Sequence, residues 1–249
     1  MRKRIALPDS HLLEISWLLG IWVFLLVPSL AQTTCVPAPS GLISWWRGET
    51  NAWDQVGTNN GAFLNGASFL PGEVGQAFNF DGSGNSVTIP SASSLDVGSG
   101  PGFTIEAWIN PSDLSSGRPI LEWAVPSAYG LHFWVNAPSQ GCLYGNLADN
   151  NGVNHIIQSA PGVLATNQFQ HVAITYDKAS GTAKLFLNGS VIQSNFLGSI
   201  SARTSSTVYI GYRPATSPFG PVPFLGLIDE VSLYNRVLAP AEIQAIFGL

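Results

Sequence analysis

Residues 103–109 read Phe-Thr-Ile-Glu-Ala-Trp-Ile, and this stretch decides the fold class. Apolar residues occupy the odd-numbered positions, whereas Thr104, Glu106 and Trp108 occupy the even-numbered ones. A period of two is typical of a β-strand that has one face against a hydrophobic core. The sequence therefore predicts a strand here, and its core-facing residues are Phe103, Ile105, Ala107 and Ile109.

Short apolar runs of the same kind recur along the chain between clusters of Gly, Asn, Ser and Pro. Residues 184–192 contain two such runs around Asn188-Gly189, a dipeptide that favours the type I′ turn of a β-hairpin. About a dozen strands without helices between them indicate antiparallel sheets. The further predicted strands are 42–46, 77–80, 86–89, 119–123, 131–135, 155–158, 171–176, 207–211 and 227–233.

Composition excludes several other classes of protein. The 26 Gly and 17 Pro residues are incompatible with a coiled coil or a helical solenoid, and the 45% hydrophobic content is incompatible with a disordered polar chain. Charged residues make up only 10% of the chain and the net charge is −5, which argues against binding to nucleic acid phosphates. We therefore expect one all-β domain of sandwich or barrel type.

One helix is predicted, near the end of the chain. Pro240 suits the first position of a helix, and Glu242 favours the positive end of the helix dipole. Ile243, Ile246 and Phe247 would form one apolar stripe along it.

The first 31 residues have the pattern of a secretory signal peptide. Basic residues at positions 2–4 precede an apolar core from Ile15 to Val27, which is too short to span a bilayer comfortably. Small residues at Ser29 and Ala31 predict cleavage after Ala31; the alternative is an uncleaved anchor helix. We expect a linker over 32–40 and a domain over 41–249. The mature protein would be secreted, extracellular or periplasmic, without a membrane span.

Two cysteines, Cys35 and Cys142, would remain after cleavage. An even pair in an exported chain predicts one disulfide, which would tie the N-terminal segment to the middle of the domain. The alternatives are two unpaired thiols or a Cys35 that bonds to a partner.

Eight motifs follow one another in the order found in LamG-like jelly-roll domains of the concanavalin A-like lectin/glucanase superfamily. They cover nearly the whole predicted domain, at 41–46, 54–61, 72–82, 103–108, 171–177, 185–189, 226–236 and 238–243. The chain therefore resembles this family, although Phe169 stands where the family usually has Trp and Ala239 replaces the usual Ser or Thr helix cap. The resemblance implies an all-β antiparallel β-sandwich, or jelly roll, with one short C-terminal helix. It implies a binding scaffold more than an activity, because the superfamily includes lectins, adhesion modules and hydrolases.

No catalytic arrangement is found in the sequence. The hydrolases of the superfamily that this chain resembles carry Glu-x-Asp-x-x-Glu on one strand, and the chain has no such run. Asp229 and Glu230 are the nearest pair, but adjacent residues of a regular strand point to opposite faces. A Gly-x-Ser-x-Gly motif and metal-type histidine spacing are also absent from the sequence. We therefore predict that the protein is not an enzyme.

Calcium is the ion that the resemblance implies, because many relatives of this domain carry one. The matching positions are Asp54, Asn60 and Asp229, and Ca²⁺ prefers such oxygen ligands on loops. The alternative is that these side chains only bond their own backbone in Asx-turns.

A ligand site is predicted where aromatic and amide side chains are densest. Exposed aromatic rings serve as platforms for sugars, and the alternative for each ring is packing in the core. The predicted binding residues are Trp123, Tyr129, Trp134, Tyr144 and Asn146. We predict a non-catalytic lectin-like module for an extracellular carbohydrate or glycoconjugate. The alternatives are an adhesion or structural module for cell-surface proteins and, less favoured, a glycoside hydrolase of the same superfamily.

Overall fold

The fold consists of two antiparallel β-sheets that enclose one hydrophobic core. The computed structural model describes residues 37–125, 128–215 and 220–248. In chain order the strands are β1 (Leu42–Trp46), β2 (Ala62–Leu64), β3 (Ser68–Pro71), β4 (Gln76–Asp81), β5 (Ser86–Ile89), β6 (Gly102–Pro111), β7 (Arg118–Val125), β8 (Ala128–Val135), β9 (Leu143–Leu147), β10 (Ile156–Gln158), β11 (Gln170–Asp177), β12 (Thr182–Leu187), β13 (Ser190–Phe196), β14 (Thr207–Ile210), β15 (Tyr212–Arg213), β16 (Val222–Pro223) and β17 (Leu225–Tyr234).

Strand pairing defines the two layers. The described part of the first sheet has the order β13-β12-β11-β6-β17-β4-β3, and β1 also pairs with β17. The described part of the second sheet has the order β10-β9-β8-β7-β14-β5-β2, while β15 and β16 form a separate ribbon. Within the described ranges the helical elements are the 3₁₀ turns Ser93–Leu95 and Val97–Ser99 and the helix α1 (Pro240–Phe247). This arrangement confirms the predicted all-β sandwich with one short C-terminal helix.

The period-two stretch forms the centre of the first sheet. All four of its odd-numbered residues are fully buried in the core, as predicted, and β6 pairs with β11 on one side and β17 on the other. Core side chains from the second sheet include Leu121, Trp123 and Phe133. Because one face of each sheet is committed to this core, any site on a sheet must lie on an outer face.

Helix α1 covers part of the outer face of the first sheet. Ile243 is fully buried, and the ring of Phe247 lies 5.6 Å from that of Trp108. Ala239 offers no side-chain cap, but the Glu242 carboxylate accepts the Ala239 backbone N–H at 2.8 Å and so supplies half of a capping box. The preceding Arg236 donates through Nε to the Ser40 carbonyl at 2.7 Å, so the start and the end of the described domain meet on this sheet.

A β-bulge changes the expected orientation of Asp229 and Glu230. Glu230 has a φ of +52°, and the pairing of β17 with β6 shifts register between Asp229 and Ser232. Ile228 and Val231 both point into the core. The two acidic side chains between them therefore both point to the outer face of the first sheet. The expectation that they point to opposite faces is therefore wrong, because it assumed a regular strand.

Several predictions concern residues outside the described ranges. The signal peptide over 1–31 and most of the 32–40 linker lie outside them, as does Cys35, so cleavage and the disulfide stay predictions. Cys142 is buried, with its Sγ 3.2 Å from the Ala137 carbonyl oxygen. Across the described ranges, no helix has the length and apolar character needed to cross a membrane.

Candidate ligand-binding site

A pocket of about 400 Å³ opens on the outer face of the second sheet. Its walls come from β8, β9, β10 and β15, whose residues alternate between core and exterior. Phe133 and Leu143 face the core, so their neighbours His132, Trp134 and Tyr144 face outward. An irregularity in β8 between Tyr129 and His132 lets Tyr129 line the same face. The lining residues are Tyr129, His132, Trp134, Ala137, Pro138, Tyr144, Asn146, Asn154, Ile156, Gln158 and Arg213.

A fully buried carboxylate holds the pocket floor. Glu122 lies opposite His132 in the β7–β8 ladder. Its Oε2 accepts the Trp134 indole N–H at 2.7 Å and lies 2.7 Å from His132 Nδ1. Burial raises the pKa of Glu122, while His132 and Trp134 oppose that rise. Since a carboxylate oxygen accepts from both partners, His132 Nδ1 carries the proton that points at Glu122.

Arg213 covers one face of the Trp134 indole. Its guanidinium lies 4.9 Å from the ring centroid, a cation–π distance. Trp134 is consequently only 7% exposed, although it lines the pocket. The more accessible aromatic surface belongs to Tyr129 and Tyr144, which are both half-buried. Burial raises the pKa of Tyr144 from its ordinary value of 10 to about 12.

Amide side chains complete the pocket. Asn146 donates through Nδ2 to Asn154 Oδ1 at 2.9 Å, and Asn154 donates to the Tyr129 hydroxyl at 3.3 Å. Asn146 is 4% exposed, and its Oδ1 accepts no hydrogen bond from any described residue. A buried acceptor without a donor is unusual in folded proteins, so this oxygen is suited to a ligand hydroxyl or a bound water.

The structure brings four of the five predicted ligand residues together. Tyr129, Trp134, Tyr144 and Asn146 all line the pocket, whereas Trp123 is fully buried in the core between the sheets. Ordinary strand alternation explains this difference: Glu122 points to the outer face, so the adjacent Trp123 points into the core. The binding role of the four residues stays a prediction.

Sequence reasoning missed Glu122, His132, Asn154 and Arg213. His132 stands two residues before Trp134 on the same strand, so the period of two was a signal that they share a face. Arg213 follows Tyr212 on another strand, β15, and carried no comparable signal. No Asp or Glu is among the described residues that line the pocket, although the protein is acidic overall.

The predicted calcium ligand Asp54 is surrounded by hydrogen-bond donors rather than by other oxygen ligands. Its carboxylate accepts backbone N–H groups of Trp45 and Val56, each at 3.0 Å, and of Asn59 at 3.1 Å. Burial alone would raise the pKa of Asp54, but these bonds, with one from Gly57, lower it. Asn60 Oδ1 in turn accepts the Asp54 backbone N–H at 2.9 Å. N–H groups pointing at the carboxylate occupy the directions from which a cation would approach, so the loop does not fit Ca²⁺ through Asp54.

Asp229 also lacks the surroundings of a calcium ligand. Its Oδ2 accepts the Val74 backbone N–H at 3.0 Å, and burial raises its pKa to about 7. Within the described ranges, no three His, Cys, Asp or Glu side chains are grouped as a metal site. Calcium binding stays a prediction of the sequence, and we derive no function from it.

Asp54→Asn tests whether this loop is held by hydrogen bonds rather than by an ion. The amide would turn an N–H group toward backbone donors, so we expect a loss of about 1–3 kcal/mol in the free energy of unfolding. Urea unfolding of the full chain measures this loss, with Asp81→Asn, at the exposed end of β4, as control. Chelator should leave the wild-type melting temperature unchanged. A lower melting temperature in chelator would show that an ion does stabilise the fold.

The chain matches a known protein family in sequence and solved structures in fold. A family model described as concanavalin A-like lectin/glucanases superfamily matches residues 81–244. Among curated proteins, none matches the chain in sequence.

Solved structures with the same fold include domain 4 of AbnA, an extracellular GH43 arabinanase from Geobacillus stearothermophilus, in complex with arabinotriose. The identity is 17% and the TM-score 0.63, over 82% of this chain and 97% of that one. The binding domain of botulinum neurotoxin DC in complex with SialylT aligns at 16% identity and a TM-score of 0.65, over 84% of this chain and 51% of that one. The same toxin domain in complex with rat synaptotagmin II gives 17% identity, a TM-score of 0.64, and coverage of 84% and 51%.

The chain thus spans about half the length of the toxin binding domains. At these identities the similarity establishes a shared fold. The family model covers well over half of the 249 residues, and the chain belongs to the concanavalin A-like lectin/glucanases superfamily.

Proposed function

We propose that the protein is a secreted, non-catalytic, lectin-like module that binds carbohydrate in the pocket on the second sheet. The observation that carries the proposal is the lining: two half-buried tyrosines, two asparagines and the buried, unpartnered Asn146 Oδ1. Sugars present apolar C–H faces and many hydroxyls, so they suit aromatic surface beside fixed amide groups. Solved structures of the same fold support the proposal, since one is in complex with arabinotriose and another is in complex with SialylT.

The distribution of carboxylates supports the non-catalytic part of the proposal. Glycoside hydrolysis requires two carboxyl groups that flank the scissile bond. Glu122 is fully buried below the pocket and engaged by His132 and Trp134, and no other Asp or Glu among the described residues reaches the lining. Asp229 and Glu230 lie on the other sheet, where Trp45 and Arg47 engage Glu230.

A protein partner is the second candidate. The toxin binding domain that shares this fold also has a solved structure in complex with rat synaptotagmin II. On this chain, Trp53 is 63% exposed and Phe196 is 79% exposed, and both lie outside the pocket lining. Exposed aromatic residues of this kind are typical of protein contact sites.

A glycan array followed by titration of Tyr144→Ala tests the carbohydrate proposal. We expect the purified full chain to bind at least one glycan class, and Tyr144→Ala to weaken that binding about tenfold or more, which corresponds to 1.4 kcal/mol. Phe196→Ala removes an exposed aromatic ring from the other sheet and should bind as the wild type does. A blank array, with capture of cell-surface protein that depends on Trp53 or Phe196, would favour the second candidate instead.

A further inference from the structure

A second pocket, of about 530 Å³, adjoins the first. Ala137 and Pro138 line both, so together they form the rim between two neighbouring depressions. The remaining lining residues of the second pocket are Ser115, Ser116, Gly117, Asn136 and Gln140. We call it the serine pocket, and the first one the tyrosine pocket.

The wall of the serine pocket is fixed before any ligand arrives. The Asp113 carboxylate accepts the backbone N–H of Ser115 and its hydroxyl, each at 2.9 Å. Arg118 donates to Asp113 through Nε at 3.1 Å and through a terminal nitrogen, and it also donates to the Pro223 carbonyl at 2.9 Å. On the facing side, Asn136 Oδ1 accepts the Gly141 N–H at 2.6 Å. A preformed wall reduces the entropy lost when a ligand is ordered against it.

Hydrogen-bonding groups on this wall are open to solvent. Ser116 and Gln140 are exposed, and their side chains make no hydrogen bond to another described residue. No Asp, Glu, Lys, Arg or His is among the described residues lining the serine pocket. The nearby charges of Asp113 and Arg118 are paired with each other, so the hydroxyl and amide groups of the lining suit an uncharged ligand rich in hydroxyl groups.

The two pockets share one structural base. A Cβ atom at Gly117 would lie 3.2 Å from Ala137 Cβ and 3.5 Å from Trp134 Cε3. The indole of Trp134, which lines the tyrosine pocket, therefore also backs the floor of the serine pocket. Small residues at Gly117 and Ala137 keep the passage between the pockets open.

From this continuity we infer that the ligand is a linear oligosaccharide, uncharged where it meets the serine pocket, rather than a single sugar. One unit occupies the tyrosine pocket, the chain crosses the rim formed by Ala137 and Pro138, and the following units contact Ser116 and Gln140. This inference rests on the proposed function, because it assigns a saccharide to the tyrosine pocket. Its new content is a second subsite and a dependence of affinity on chain length.

Calorimetry with saccharide ladders tests the inference on the full chain. The probes are arabinose to arabinotetraose and glucose to cellotetraose. For the ladder that binds, we expect the trimer or tetramer to bind about tenfold more tightly than the monomer, a difference of 1.4 kcal/mol. Ser116→Trp fills the serine pocket and should remove that gain while leaving the affinity for the monomer unchanged. Gln140→Ala should remove part of the gain without adding bulk.

Matched controls separate the possible results. Ser93→Trp, an exposed serine on a 3₁₀ turn outside both linings, should keep the full gain with chain length. Equal affinity for the monomer and the tetramer, or a gain that survives both Ser116→Trp and Gln140→Ala, would overturn the second subsite while the proposed function stands. Failure of every arabinose and glucose oligomer, together with a blank glycan array, would overturn both.

Discussion

Asp229→Asn is expected to stabilise the protein by roughly 2–4 kcal/mol at pH 8 and by much less at pH 4.5. Asp229 is fully buried on the bulge of β17, and its Oδ1 accepts no hydrogen bond from any described residue. Burial raises its pKa from the ordinary 3.8 to about 7, and the neighbouring charge of Glu230 adds to that rise. An asparagine resembles the protonated carboxyl and carries no charge to be desolvated.

The sign of the pH dependence follows from proton binding. Between about pH 4 and pH 7 the folded protein keeps the Asp229 proton that the unfolded chain releases, so stability from this group falls as pH rises. Below pH 4 Asp229 is protonated in both the folded and the unfolded state, so burying it costs no desolvation of a charge. Above pH 7 Asp229 is ionised in both states, and its burial then lowers the free energy of unfolding by the full amount, about 4 kcal/mol for a shift of about three pKa units.

Urea unfolding of the wild type and of Asp229→Asn between pH 4.5 and pH 9 measures this difference. The control is Asp177→Asn, because Asp177 is a half-buried acid whose hydrogen bond with Ser180 lowers its pKa. That variant should show no gain in the free energy of unfolding over the wild type at high pH. A difference between wild type and Asp229→Asn that stays constant across the range would mean that Asp229 does not titrate near neutrality.

Glu122→Leu is expected to lower the free energy of unfolding by about 2–5 kcal/mol. The leucine fills much of the same volume but accepts nothing, so it leaves the Trp134 indole N–H and His132 Nδ1 without the acceptor they share at 2.7 Å. Both donors are buried, and each would then lose its bond without gaining water. The same change frees Trp134 to reorient, and saccharide binding should weaken with it.

Glu122→Gln is the matched variant for this test. It keeps one carbonyl oxygen at nearly unchanged volume, so its stability should fall between the wild type and Glu122→Leu. Urea unfolding gives the stability of each variant. A Leu variant as stable as the wild type would show that the carboxylate does not hold the pocket floor.

The fold was predictable because alternation and turn chemistry are local properties. The strand at 103–109 and the Asn188-Gly189 hairpin lie where the pattern placed them, and β1 (Leu42–Trp46) and β5 (Ser86–Ile89) have the predicted bounds. β9 was missed because Gly145 lies in its middle. A Cβ there would lie 2.4 Å from Ile174 Cδ1 across the core, so a larger residue would displace the Ile174 side chain, and glycine stands where strand propensity disfavours it.

The site was only partly predictable because it depends on which face each side chain occupies. Tyr129, Trp134, Tyr144 and Asn146 cluster along the chain and also in space, since β8 and β9 are neighbours. Trp123 is equally close in sequence but faces the core. Arg213 reaches Trp134 from a different strand, a contact that depends on the tertiary fold.

The contact between Arg236 and Ser40 has a practical consequence for immobilising the protein. Both ends of the described domain lie at the first sheet, whereas the two pockets open on the outer face of the second. A biosensor tag or a display fusion at either end would therefore present the pockets to solution instead of to the support. Oriented capture at either end should accordingly retain full binding capacity.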